Sequence, residues 1–135
     1  MVVALLAALV TPATAPDRSV LMLFSDLAEH TRQLKAEPRC SLMVTGVAET
    51  VNPQTAPRLT VIGRAARIED DGLKDWWLAR HPYAAMYAGF GDFALWRLVP
   101  ERAQLVGGFA RAHRFSTLAP DPDAVAAIAA AAEDI

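Results

Sequence analysis

Apolar runs alternate with proline- or charge-rich breaks along the chain, and that rhythm sets the predicted elements. Residues 3–10, "VALLAALV", form an apolar run read as a strand, although the same Ala and Leu content also suits a helix. "TPATAPDRS" is a proline-punctuated loop, and residues 20–24, "VLMLF", are a short, wholly apolar strand, so the two runs predict a hairpin with a long turn. Residues 27–36 then change to helical spacing, with Leu27, Thr31 and Leu34 on one side and Glu29, Arg32, Gln33 and Lys35 more exposed. Asp26 and Glu29 stand as a D-x-x-E capping pair for that helix, and Pro38 stops it.

"CSLMVTGV" is the next strand and "AETVNPQTAPR" a loop with two prolines. "LTVIGRAARIE" is a long strand rich in β-branched residues, and its Gly63 predicts a bend or bulge. "DDGLKDWWLARHP" is a helix that opens in acid and closes at Pro82, with a further helical turn or two in "YAAMYAG". "FALWRLV" and "RAQLVGGF", flanking Pro100 and Glu101, predict a second hairpin. Many short antiparallel strands with two inserted helices make a mainly β fold, a small barrel or barrel-like domain over residues 1–118, followed by an acidic, Ala-rich tail over residues 119–135.

Composition narrows the function classes. With 135 residues, 53% hydrophobic and 21% charged, the chain suits one globular domain with a real core. The net charge is -2, but the last fifteen residues carry Asp121, Asp123, Glu133 and Asp134 and no base, so the remainder holds 13 basic against 11 acidic groups. That dispersed balance lacks the concentrated basic face that nucleic-acid binding needs. The single cysteine, Cys40, excludes a disulfide within the chain, and the absence of a His/Cys cluster argues against a metal site, so a cytoplasmic setting is expected. "MVVALLAALVTPATAP" resembles a leader peptide with an A-x-A site, yet it lacks a positive start and falls short of the roughly 20 apolar residues that span a bilayer; no membrane role is expected.

Candidate chemistry gathers at "SDLAEHTR". A helix N-terminus presents unpaired N–H groups and a partial positive charge, a natural seat for phosphate, and here Ser25, His30, Thr31 and Arg32 surround one. The competing reading is an ordinary cap: Asp26 and Glu29 repel an anion, and Arg32 has Glu29 as a partner. Elsewhere, strand alternation puts Arg64 and Arg67 on opposite faces, and Trp76, Trp77 and Trp96 suit a core better than a ligand stack. His81 reads as a helix-end residue, and His113, one histidine near the chain end, is no evidence of a ligand site by itself. No Ser-His-Asp, paired-carboxylate or P-loop pattern is present, so any chemistry belongs to a cofactor.

Four linked motifs carry a resemblance. The runs "LFSDLAEHTRQLKAEPRCSLMV", "APRLTVIGRAARIED" and "ARHPYAAMYAGFGDFALWRLVPERAQLVGGFARA" contain, in order, S-D-L-A-x-H-T-x-x-L, P-R-x-T-x-x-G-R-A, Y-A-G-F-x-D-F and G-G-F-x-R-A, across roughly residues 20 to 112. The chain resembles the pyridoxamine 5'-phosphate oxidase-like family of FMN-binding split barrels, and within it the haem-utilisation branch. The resemblance implies a homodimer with FMN between subunits and, as a function, a flavoprotein oxidoreductase acting on an unidentified small molecule. It assigns the phosphate to Ser25, His30, Thr31 and Arg32, and brings Arg58 and Arg111 to the cofactor, with residues 6–8 along the flavin ring. Haem replaces FMN in the alternative, and a cofactor-free interaction domain is the third reading. Against the family pattern, the usual first helix and strand are expected to be missing, Gln33 replaces an asparagine, and Ala110 replaces a glycine.

Overall fold

The computed structural model describes residues 5–107 and 112–115. The element order is β1 (Ala13–Thr14), β2 (Val20–Ser25), α1 (Glu29–Ala36), β3 (Arg39–Thr45), β4 (Arg58–Ile68), α2 (Asp71–Arg80), β5 (Phe93–Val106) and β6 (Ala112–Phe115), with short 3-10 helices at Pro53–Thr55 and Pro82–Met86. The strands form one antiparallel sheet in the order β1-β2-β5-β4-β3, with β6 also paired to β5. No pairing among the described residues joins β1 to β3, so the sheet is not closed. The predicted tail, residues 119–135, lies outside the described residues.

Two compact units divide the chain. The first comprises Met1–Ala15, Ser19–Pro38 and Ala65–Leu98. Within it β2 lies against β5 from Val20↔Leu98 to Ser25↔Phe93, so alternate residues point to opposite sides. Leu21 and Leu95 face one side and join Ala13, Ala15, Trp77 and Ala84 in a buried cluster, with Leu73 and Leu78 of α2 packed on it. Burying Trp77, Leu21 and Leu98 completely stabilises the fold by roughly 1.5 to 3 kcal/mol per large side chain. Phe24 and Trp96 lie on the opposite side with ring centroids 6.0 Å apart. Helix α2 begins as the sequence predicts: the Asp70 carboxylate accepts from the Leu73 N–H, and the chain turns at Pro82. Both helix tryptophans are fixed by carbonyls, Trp76 Nε1 donating to Thr14 and Trp77 Nε1 to Thr11, each at 3.0 Å.

The second unit comprises Pro16–Arg18, Arg39–Arg64 and Val99–Ile135. Strands β3 and β4 pair without interruption from Arg39↔Arg64 to Thr45↔Arg58. Gly63 therefore marks no bulge in the β3–β4 ladder. It marks a close approach of backbone: a Cβ there would overlap the carbonyl oxygen of Val99.

Three predicted elements differ. Residues 5–12 form no strand, and Leu5 and Leu9 are exposed; an isolated strand has no ladder to satisfy its backbone, and no described strand pairs with this run. The hairpin forms instead between Ala13–Thr14 and β2, turning through Arg18, whose φ of 67° is in the left-handed region. The predicted second hairpin at Pro100 is one continuous strand, β5. β2 pairs with its residues Phe93 to Leu98 and β6 with Ala103 to Val106, so the proline falls between these partners, where its missing N–H leaves no gap in either ladder.

Candidate functional site

Ser25 is the last residue of β2, and the chain leaves it through a tight turn rather than directly into a helix. The Leu27 N–H donates to Ser25 Oγ at 3.1 Å and the Ala28 N–H to the Ser25 carbonyl at 3.1 Å. This turn delays α1 to Glu29. Its N-cap is Ala28, and no side chain caps it. The D-x-x-E cap predicted from Asp26 and Glu29 therefore does not form.

Tertiary partners explain why. The Asp26 carboxylate accepts from Lys35 Nζ at 2.9 Å and stands 4.0 Å from the Arg67 guanidinium. The Lys35 hydrogen bond, with the charges of Lys35 and Arg67, holds the Asp26 carboxyl below its usual range against a smaller opposing effect of burial. Glu29 lies 3.9 Å from Arg32, the partner that the sequence offered, though both are well exposed and such a pair contributes little.

A second carboxylate closes the turn. Ser25 Oγ donates to Asp92 Oδ2 at 2.7 Å, and the Asp26 N–H donates to the Asp92 carbonyl at 2.7 Å. Asp92 belongs to the D of the Y-A-G-F-x-D-F run, so a sequence signal for it existed, but nothing local linked it to Ser25 across 67 residues.

The remaining predicted residues are placed as follows. Thr31 is wholly buried, with its hydroxyl 3.4 Å from His30 Nδ1. His30 is half-buried with its ring edge against Phe24, centroids 4.4 Å apart, and burial pushes its pKa down. Ser25, His30, Thr31 and Arg32 thus share the first unit, on one turn and the helix after it. Arg58 belongs to the second unit, at the start of β4, where its guanidinium donates to the carbonyls of Gln54 (3.2 Å) and Ala56 (3.3 Å). Arg111 lies outside the described residues. Arg64 pairs with Glu101 at 3.1 Å.

Other candidates have structural partners. His81 Nε2 lies 2.9 Å from the Pro12 carbonyl, and its ring packs on Trp77. Cys40, half-buried on β3, has its thiol pushed up by burial and so is a poor nucleophile. No group of three or more His, Cys, Asp or Glu that could hold a metal ion occurs among the described residues, and none of their helices is long and apolar enough to cross a membrane.

A family model described as pyridoxamine 5'-phosphate oxidase matches residues 6–107. The chain belongs to the pyridoxamine 5'-phosphate oxidase family. Its open antiparallel sheet with two helices is a form of that family's split barrel. The chain is 34% identical over 99 residues to the chloroplastic non-canonical heme oxygenase HOZ of Arabidopsis thaliana, a match covering 71% of this chain and 30% of that one. A heme binding protein from Mycobacterium smegmatis superposes with a TM-score of 0.71 at 30% identity, over 87% of this chain and 48% of that chain. The heme storage protein HutZ from Vibrio cholerae gives a TM-score of 0.57 at 25% identity, over 68% and 69%. The chain thus spans less than half the length of the Arabidopsis and mycobacterial proteins.

Proposed function

We propose that this chain is a haem-binding protein of the family's haem-utilisation branch. The observation that carries the reading is the state of the Ser25 turn: its hydroxyl is already donated to Asp92, and the carboxylate of the next residue, Asp26, already holds Lys35. Two carboxylates oppose a phosphate dianion where the FMN phosphate was expected. The three relatives named above, each described as handling haem, support the same reading. Haem is a largely apolar macrocycle whose iron takes an imidazole ligand in many proteins. Of the three histidines, His81 is held by the Pro12 carbonyl and His30 lies half-buried against Phe24. His113 is exposed on β6, so its imidazole is the first to test.

FMN is the second reading, favoured by the start of α1, where no side chain caps the helix. Under it the flavin supplies hydride or electron transfer to a small molecule, and Ser25, His30, Thr31, Arg32, Arg58 and Arg111 position its phosphate and ring. Either cofactor is compatible with a homodimer.

Titrating the purified protein separately with haemin and with FMN decides between them. Saturable growth of a Soret band, altered in His113→Ala, with no quenching of flavin fluorescence is the expected result. One-to-one FMN binding without haem binding would overturn it.

A further inference from the structure

We infer that Asp26 is a specificity-determining residue that closes the α1 turn to a phosphate monoester by occupying, with its own carboxylate, the cationic seat made by Lys35 and Arg67. The inference deepens the preference for haem over FMN proposed above. It rests on three distances within one compact unit. Asp26 Oδ1 lies 2.9 Å from Lys35 Nζ, and Asp26 Oδ2 lies 4.0 Å from the Arg67 guanidinium. The Asp26 N–H, which would otherwise be available to an anion, donates to the Asp92 carbonyl at 2.7 Å.

The turn thus contains both charges of an anion site, but the anion is covalently part of the chain. Lys35 comes from the last turn of α1 and Arg67 from β4, and both converge on one carboxylate at the other end of the helix. That carboxylate is ionised at neutral pH, as any aspartate with an ordinary or lowered pKa is, and Lys35 and Arg67 favour its charged form further. An incoming phosphate would have to displace Asp26 from Lys35 and then lie beside it, and two like charges a few ångströms apart repel. Asp92 adds a second negative group, and its hydrogen bond from Ser25 removes the hydroxyl that would have donated to the phosphate. A neutral side chain of the same shape at position 26 releases both cations while keeping the turn.

The test compares wild type with Asp26→Asn, titrating each with FMN, with riboflavin and with haemin. Asp26→Asn is expected to bind FMN at least about tenfold more tightly than wild type, the gain from removing one like charge. Riboflavin, which lacks the phosphate, is expected to show no gain. Adding Lys35→Ala to Asp26→Asn is expected to give back part of the gain, because one of the two freed cations is lost while Arg67 remains, and a general loosening of the turn would not do this. A thermal melt of each variant confirms that it is folded. The inference is overturned if folded Asp26→Asn gains nothing for FMN, if riboflavin gains equally, or if wild type already binds FMN as tightly as the variant. Haemin binding by wild type reports on the proposed function separately: its absence would sink that reading and leave the FMN comparison intact.

Discussion

Ser25 and Asp92, 67 residues apart, are joined by a 2.7 Å hydrogen bond between the serine hydroxyl and a carboxylate oxygen. The bond ties the end of β2 to the residue just before β5, beside the β-ladder pair Ser25↔Phe93. Both groups are partly exposed, so the net contribution is that of a solvent-weakened charge-assisted bond, about 1 kcal/mol. Ser25→Ala and Asp92→Ala are each expected to destabilise the protein. A double-mutant cycle by urea denaturation should return a coupling of about 1 kcal/mol. Additive losses would show that the two residues act independently.

Gly63 faces a harder constraint. A side chain there meets the Val99 carbonyl, which is backbone and cannot rotate away as a flexible side chain could. Gly63→Ala should therefore cost on the order of 3 kcal/mol, as overpacking against a fixed wall does. By contrast a Cβ at Gly89 meets nothing within 4 Å, and Gly89→Ala is expected to leave the denaturation midpoint close to wild type. Equal midpoints for the two variants would contradict the close approach.

What the sequence disclosed was local. The acidic start of α2, the Pro82 stop and the β-branched run of β4 predicted their elements because each is decided by neighbours a few residues away. The D-x-x-E cap failed because Asp26 found Lys35 and Arg67, and its carboxylate is held by those cations instead of the N–H groups of the first turn of α1. Residues 5–10 read as a strand from an apolar run alone, and an apolar run cannot supply the partner a strand needs. Pro100 read as a turn because its tolerance in β5 depends on where β2 and β6 stop, which is a property of three strands. The Ser25 cluster was legible as polar residues at a helix start. Its partner Asp92 was not, because the pairing is set by the β2–β5 register.

His30 should make stability depend on pH in mildly acidic solution. Burial lowers its pKa from the ordinary 6.5, so as pH falls below that value the unfolded chain takes up a proton before the folded one does. The unfolded state then binds more protons, and stability declines until the folded pKa is reached. The contribution is fully present above about pH 6.5. Melting temperatures of wild type and His30→Gln between about pH 7.5 and 5 should converge, or wild type should fall below the variant, as pH drops. Parallel curves would mean that His30 titrates alike in both states.

The two buried tryptophans, Trp77 and Trp96, offer a controlled comparison. Both are at least 98% buried, but Trp77 Nε1 donates to the Thr11 carbonyl at 3.0 Å, whereas Trp96 Nε1 is buried without a hydrogen-bond partner. Replacing either by Phe removes a similar volume and leaves a similar void. The Trp77 change also breaks its hydrogen bond to Thr11, while the Trp96 change deletes a donor that was already unsatisfied, which relieves a desolvation cost. Trp77→Phe should therefore be more destabilising than Trp96→Phe by about 1 to 2 kcal/mol in parallel urea titrations. Equal losses would require an acceptor inside the β2–β5 face that meets the Trp96 indole, and exchange protection of the indole N–H in wild type, read by NMR, would then reveal it.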